Sequence, residues 1–152
     1  MPPPIFLRMD DVTLNGGTSI GAAWQRMSDR LTARGVCGAF GVIGANCETP
    51  NQAAKDWVKS LYDSGTVEWF AHGWVHSCRE FAGRSVQYQT AAALETVRLL
   101  ALKFGVPCPA FGAPCLEGDM QTGIALWEAG FKCWLYPKFE HNWPYPRDRG
   151  MR

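Results

Sequence analysis

The chain has 152 residues and a formal net charge of +1, with 47% apolar and 19% charged residues. This length and composition predict one packed domain over residues 1–152 and exclude a disordered chain. The near-neutral charge, without a basic stripe, argues against a nucleic-acid or membrane-surface partner, and no apolar stretch approaches the ~20 residues that a membrane-spanning helix needs.

Five apolar runs alternate with four helical patterns along the chain. The first run, residues 5–9, precedes a helix that Thr18 or Ser19 can cap and that Gly35 ends. The tail, residues 137–152, is rich in proline and aromatic residues and is predicted to be irregular. The remaining predicted strands are residues 36–43, 67–71, 108–113 and 131–136. The second predicted helix begins at Pro50-Asn51 and ends at Ser64-Gly65, and the other two cover residues 87–104 and 121–129.

The repetition of strand and helix, with strands that are apolar almost throughout, predicts an α/β fold. We expect a parallel sheet or a barrel of about five strands, covered by helices. In such folds ligands bind at the carboxyl ends of the strands. Asp10-Asp11, His72 and Pro114-Cys115 all come at predicted strand ends, which places them on one rim.

The amino terminus and the cysteines bear on the compartment. Residues 1–4 lead straight into a strand-like run without a charged region and an apolar one, so we expect no export signal and a cytoplasmic protein. No Cys-x-x-Cys pair occurs, which argues against a structural zinc ribbon. In a reduced compartment the cysteines are small apolar fillers, whereas in an exported protein some could pair. They are Cys37, Cys47, Cys78, Cys108, Cys115 and Cys133.

Two adjacent carboxylates follow the first predicted strand. If the chain turns at the strand end, both Asp10 and Asp11 can reach one pocket, where one binds a divalent cation and the other accepts a proton from water. The alternative is a turn or helix cap that uses two acidic residues. The sequence of the pair alone leaves both interpretations open.

Two of the three histidines lie four residues apart after the third predicted strand. If this stretch turns helically, His72 and His76 share a face and can hold one zinc-like ion. The alternative is a pair of partly buried, hydrogen-bonded histidines. A carboxylate with two imidazoles leaves coordination positions open for water and substrate, as a catalytic metal requires, and also suits non-haem iron(II).

Three segments resemble the motifs of the polysaccharide deacetylases, the NodB-homology or carbohydrate esterase family 4 group. Arg8-Met9-Asp10-Asp11-Val12 resembles the first motif, and His72 to His76 followed by Ser77 resembles the second, His-x-x-x-His. Phe111-Gly112-Ala113-Pro114-Cys115 resembles the third, which is usually Phe-Arg-x-Pro-aromatic. The order and strand placement agree over roughly residues 4–136.

The resemblance implies a distorted (β/α) barrel and a metal-dependent deacetylase of N-acetylated sugars. It assigns the general base to Asp10 and the metal, which is expected to be zinc, to Asp11, His72 and His76. The chain has about five strands where the family has about two more. We therefore expect either a compact variant or an open edge that is closed by pairing with another copy, as a homo-oligomer.

The third motif departs from the family pattern at two positions. The family arginine, expected to orient the catalytic aspartate, is replaced by Gly112, and the family aromatic residue is replaced by Cys115. Arg8, Arg79 or Arg84 could substitute for that arginine from another direction.

The general acid is assigned from the same resemblance, whereas Trp74 is considered because flat aromatic faces suit sugar rings. The family takes its acid from a late Leu-x-His motif, and the one histidine left here, His141, is the candidate, its alternative being a loop residue at the surface. Trp74 is a candidate substrate-facing aromatic, the alternative being core packing, and Pro114 and Cys115 complete the predicted substrate contacts.

The sequence therefore predicts a metal-dependent hydrolase that removes N-acetyl or O-acetyl groups from a carbohydrate. The first alternative is a catalytically impaired deacetylase-like fold that binds metal or glycan, because Gly112 replaces the family arginine and the late motif is missing. The second is a hydrolase of a non-sugar amide or ester.

Overall fold

The computed structural model describes residues 7–14 and 20–135. Five parallel strands form one sheet in the order β1-β2-β3-β4-β5, so each strand pairs with the next one along the chain. This confirms the predicted parallel sheet. The strands are β1 (Arg8–Val12), β2 (Gly38–Val42), β3 (Val67–Ala71), β4 (Ala110–Phe111) and β5 (Cys133–Trp134).

Within the described ranges the sheet is open, with β1 and β5 at its two edges. The parallel order brings the carboxyl ends of all five strands to one side of the sheet. The predicted irregular tail, residues 137–152, lies outside the described residues. None of the helices in the part of the chain that the structure describes is long and apolar enough to cross a membrane.

Helices connect the strands, as predicted. Asn51 caps the second helix by accepting a hydrogen bond from the Ala54 N–H at 2.8 Å, and Gly35 ends the first in the left-handed conformation, at φ 60°. The first helix begins after Gly21, later than predicted, and the proposed caps at residues 18 and 19 lie outside the described residues. The helices are α1 (Ala22–Arg34), α2 (Gln52–Asp63), α3 (Val86–Leu99), which continues as a π-helical turn (Leu100–Phe104), and α4 (Met120–Glu128).

Aromatic side chains of the strands, and of the segment that follows β3, pack together in the core. Every residue of β2 is buried, as expected for a strand covered on both faces. Phe40 packs edge-on against Trp69 with ring centroids 5.7 Å apart, and Phe81 packs against Phe111 at 4.7 Å. The first contact joins β2 to β3, and the second joins the segment that follows β3 to β4.

The fourth strand is shorter than predicted. The sequence predicts residues 108–113, but only Ala110 and Phe111 pair with the neighbouring strands. Pro109 has no N–H to donate to a ladder, although its carbonyl accepts from Lys132 at 2.8 Å. Beyond Phe111 the chain turns into a 3-10 segment that begins at Pro114.

Candidate metal centre

The two adjacent carboxylates lie within β1 and not after it. The pairing of β1 with β2 is irregular between Met9 and Val12, and Asp11 has a left-handed backbone, with φ 65°. Regular strand geometry would point Asp10 and Asp11 to opposite faces. The bulge in β1 removes that alternation and lets both carboxylates reach the imidazole of His72.

His72 is the buried member of the site, with 1% of its side chain exposed. Its Nδ1 lies 2.7 Å from the carbonyl oxygen of Gly112, and a carbonyl only accepts, so Nδ1–H donates this hydrogen bond. In the neutral imidazole the lone pair is then on Nε2, which lies 3.2 Å from Oδ1 of Asp11. A metal-ligating histidine requires this tautomer and this kind of partner on its other nitrogen.

His76 reaches the same oxygen from a loop. Its Nε2 lies 2.7 Å from Oδ1 of Asp11, and its ring centroid is 5.2 Å from that of His72. The helical turn expected between the two histidines is not present. Instead, left-handed backbones at Gly73 (φ 74°) and His76 (φ 59°) fold the loop back over the strand ends.

Glu80, which the sequence analysis missed, holds this loop in place. Its side chain is 2% exposed, and its carboxylate accepts hydrogen bonds from the backbone N–H groups of Trp74, Val75 and Ser77. A buried carboxylate needs such donors. The sequence held one sign of this role: Glu80 directly precedes the apolar Phe81 and lies only four residues after His76.

The ligand atoms of Asp11, His72 and His76 all lie within 4.8 Å of one another. Two donors about 2.1 Å from one tetrahedral ion lie roughly 3.4 Å apart, so side chains this close need only small shifts to bind an ion together. One carboxylate and two neutral imidazoles are also a donor set that zinc accepts. The residues present therefore fit the divalent metal that the resemblance implies.

Asp10 lies beside this group and is held by an arginine. Its Oδ2 is 4.0 Å from Nε2 of His72, and Arg8 donates to both of its carboxylate oxygens, at 2.7 Å and 3.0 Å. Of the three arginines considered from the sequence, it is Arg8 that contacts Asp10. Arg84 lies over the ring of Tyr88, and Arg79 is exposed.

The third motif packs against the histidine loop. Pro114 is buried, and a Cβ at Gly73 would lie only 2.5 Å from its ring, so the proline and the loop backbone are in close contact. Cys115 forms a disulfide with Cys78, two residues after His76. The filler interpretation is therefore wrong for this pair, which follows the alternative that some cysteines pair, and the substrate contact of Cys115 stays a prediction.

Two other cysteines match the filler interpretation. Cys47 and Cys108 are buried free thiols, and burial raises the pKa of each to about 12. At neutral pH both therefore stay protonated and unreactive. Cys37 and Cys133 are exposed free cysteines.

Removal of the disulfide is expected to lower the free energy of unfolding by about 2–4 kcal/mol, because the bond closes a loop between cysteines 37 positions apart. The variant is Cys78→Ser/Cys115→Ser, and Cys37→Ser/Cys133→Ser is the matched control at exposed free cysteines. Denaturant unfolding measures both, with and without a dithiol reductant. Equal stability of the first variant and the oxidised wild type, or six titratable thiols in the unfolded wild type, would contradict the disulfide.

The remaining predicted site residues stay predictions. Trp74 is half-buried, and its ring packs so closely over Gly44 that a Cβ there would lie 2.6 Å away, an arrangement that resembles the core-packing alternative. The predicted acid, His141, lies outside the described residues.

Comparison with known proteins found similarity in structure only. No family model and no curated protein matches the sequence. A family 4 acetyl xylan esterase from Clostridium thermocellum in complex with a cobalt ion superposes with a TM-score of 0.63 and 22% identity, over 79% of this chain and 53% of that one. A family 4 carbohydrate esterase from Streptomyces lividans in complex with acetate gives 0.65 and 16%, over 85% and 60%.

A third structure is a carbohydrate esterase family 4 pseudoenzyme from Bacillus anthracis, with a TM-score of 0.61 and 16% identity, over 88% of this chain and 47% of that one. The chain thus spans about half the length of the structures it matches. Identities this low establish architecture and not activity. This chain has the fold of the carbohydrate esterase family 4 proteins, in agreement with the resemblance found in its sequence.

Proposed function

We propose that this chain is a metal-dependent deacetylase that hydrolyses N-acetyl or O-acetyl groups on a carbohydrate. The observation that carries the proposal is the convergence of Asp11, His72 and His76 within 4.8 Å beside a second carboxylate, Asp10, that is fixed by an ion pair. A purely structural protein gives no reason to gather two acids and two histidines at one rim. The neighbours with this fold include esterases and a pseudoenzyme, so activity has to be tested.

The metal would be held by Asp11, His72 and His76. When bound, a divalent cation supplies Lewis acidity, which polarises an acetyl carbonyl and makes water a better nucleophile at neutral pH. The hydrogen bond from His72 to Gly112 keeps Nε2 facing the site, and Glu80 keeps the loop of His76 folded. These two interactions prepare the donors before an ion arrives.

Asp10 is the general base in this proposal. A water molecule between Asp10 and the acetyl group loses its proton to the Asp10 carboxylate as its oxygen attacks the carbonyl carbon. The C–N or C–O bond then breaks, acetate leaves, and the departing amine or alcohol takes up a proton. His141 is the predicted donor of that proton.

Acetate release tests the proposal. The substrates are an N-acetylglucosamine oligomer, an acetylated xylan and a simple non-sugar acetamide, each with the zinc-loaded protein, with a chelator, and with zinc restored after the chelator. We expect release from a carbohydrate substrate, loss of release with the chelator, and recovery with zinc. Release from the acetamide alone would favour a non-sugar hydrolase, and zinc binding without any release would favour the catalytically impaired alternative.

The Cys78–Cys115 disulfide also bears on the setting of this activity. Disulfides persist in oxidising compartments and are rare in the cytoplasm. We therefore infer that the protein works in an oxidising environment, which differs from the cytoplasmic expectation.

A further inference from the structure

The guanidinium of Arg8 is fixed by contacts with three separate parts of the fold. Nε and Nη2 donate to the two oxygens of Asp10 at 2.7 Å and 3.0 Å, and Nη1 donates to the carbonyl oxygen of Leu135 at 2.7 Å. The guanidinium carbon lies 5.4 Å from the ring centroid of Phe70. The side chain is 19% exposed, so it sits largely inside the protein. A fork that uses both carboxylate oxygens fixes the orientation of the acid as well as its position.

The space for this guanidinium exists because residue 112 is a glycine. A Cβ at Gly112 would lie 2.8 Å from Nη2 of Arg8 and 2.9 Å from Cε2 of Phe70, both closer than real Cβ contacts come, and a tight 3.2 Å from Cζ of Arg8. A larger side chain at this position would therefore have to displace the guanidinium, the Phe70 ring or both. The carbonyl oxygen of Gly112 also accepts the hydrogen bond from Nδ1 of His72, at 2.7 Å. Gly112 therefore orients His72 through its backbone and leaves room for Arg8 because it has no side chain.

We propose that Arg8 is the positioning residue for Asp10 and that Gly112 is required because Arg8 takes the adjoining space; this inference rests on the proposed function. The arginine is supplied from β1, two residues before the carboxylate that it holds, and not from the segment after β4. Gly112, counted from the sequence as a reason to doubt catalysis, is then a condition for it.

Arg8 also joins the two edges of the sheet. It belongs to β1, and Leu135 directly follows β5, so the Nη1 hydrogen bond spans the opening between the edge strands. If Arg8 had only a structural role, this hydrogen bond between the edge strands would be its whole contribution. The experiment therefore has to separate the loss of a tie between strands, which lowers stability, from the loss of orientation of Asp10, which lowers kcat.

The first test compares Arg8→Ala and Arg8→Lys in the zinc-loaded protein. We expect kcat to fall about 100-fold for Arg8→Ala, because misplacing a reacting group by about 1 Å costs that much. Lysine carries the charge but cannot form the fork, so we expect a fall of roughly 10-fold. KM and the zinc dissociation constant should stay within about twofold in both variants. Arg79→Ala and Arg84→Ala are the matched controls and should retain kcat.

The second test is a double-mutant cycle with Gly112→Ala. The added methyl group should lower kcat about 10-fold while Arg8 is present, and by less than about twofold in the Arg8→Ala background. The methyl group would also lie 2.9 Å from Cε2 of Phe70, so the effect that remains in the Arg8→Ala background includes this second contact. Equal effects in both backgrounds would show that Gly112 does not serve Arg8.

A measurement without turnover separates this inference from the proposed function. In ¹⁵N-labelled protein, the Arg8 Nε–H signal should be shifted by its carboxylate partner, and Asp10→Asn should move it. A wild type that releases no acetate but shows this shift would overturn the proposed function and retain the pairing. Unchanged kcat with a lowered melting temperature in both Arg8 variants would overturn the positioning role, as would an Arg8 signal that Asp10→Asn does not move.

Discussion

Asp10→Asn is expected to lower kcat by about 1,000-fold while zinc stays bound. The amide has the same shape as the carboxylate but cannot take a proton from water, and general-base catalysis contributes about 100- to 10,000-fold. Zinc should stay because its three predicted ligands are unchanged and Asp10 is not among them; its Oδ2 lies 4.0 Å from Nε2 of His72. Initial rates on an acetylated carbohydrate and a zinc titration measure the two effects.

The matched control is Asp29→Asn, an exposed acid on α1, which should alter neither kcat nor zinc binding. Loss of zinc in Asp10→Asn would make Asp10 a ligand and not a base. A kcat within about twofold of the wild type would remove the general base from the proposal, since no proton acceptor of that importance would have been lost.

His72→Ala is expected to weaken zinc binding by at least about 100-fold, more than the loss of an outer partner of a ligand usually costs. The imidazole is buried and supplies the donor that is already fixed by Gly112. Acetate release should disappear with the metal and return only in part at high zinc concentration. Zinc titration calorimetry and initial rates over a range of zinc concentrations measure this.

Because His72 is buried, its replacement could lower stability, so His76→Ala provides the parallel test. His76 is one-third exposed, at 33%, and its loss opens no cavity in the core. We expect a similar loss of zinc with a melting temperature close to that of the wild type. Undiminished zinc affinity in both histidine variants would contradict the ligand assignment whatever their stabilities.

Local sequence rules predicted most of the secondary structure. Asn51 caps α2, Gly35 ends α1, and β3 covers residues 67–71 as expected, because caps and apolar runs act over a few residues. The chain order of the strands is also their order in the sheet, so the predicted rim follows once each strand pairs in parallel with the next. The shared rim placed Asp11, His72 and His76 at the same side of the sheet, and the resemblance to the deacetylases named them as a ligand set.

The details that shape the site could not be predicted, because they depend on contacts between distant parts of the chain. The ion pair of Arg8 is local, but its space depends on residue 112 and its second partner is residue 135. The pairing of Cys78 with Cys115 depends on two loops that meet only after folding. Left-handed backbones at Asp11 and His76 contradict local preference and persist because the surrounding fold holds them.

The most direct test of the central claim is a zinc titration of the purified wild type, followed by elemental analysis after dialysis. Convergence of Asp11, His72 and His76 predicts one zinc ion per chain, and Asp11→Asn, which tolerates the left-handed backbone but lacks the charge, should bind it far more weakly. A wild type that binds no zinc even with the metal in excess, or an Asp11→Asn variant that binds it equally well, would contradict the account.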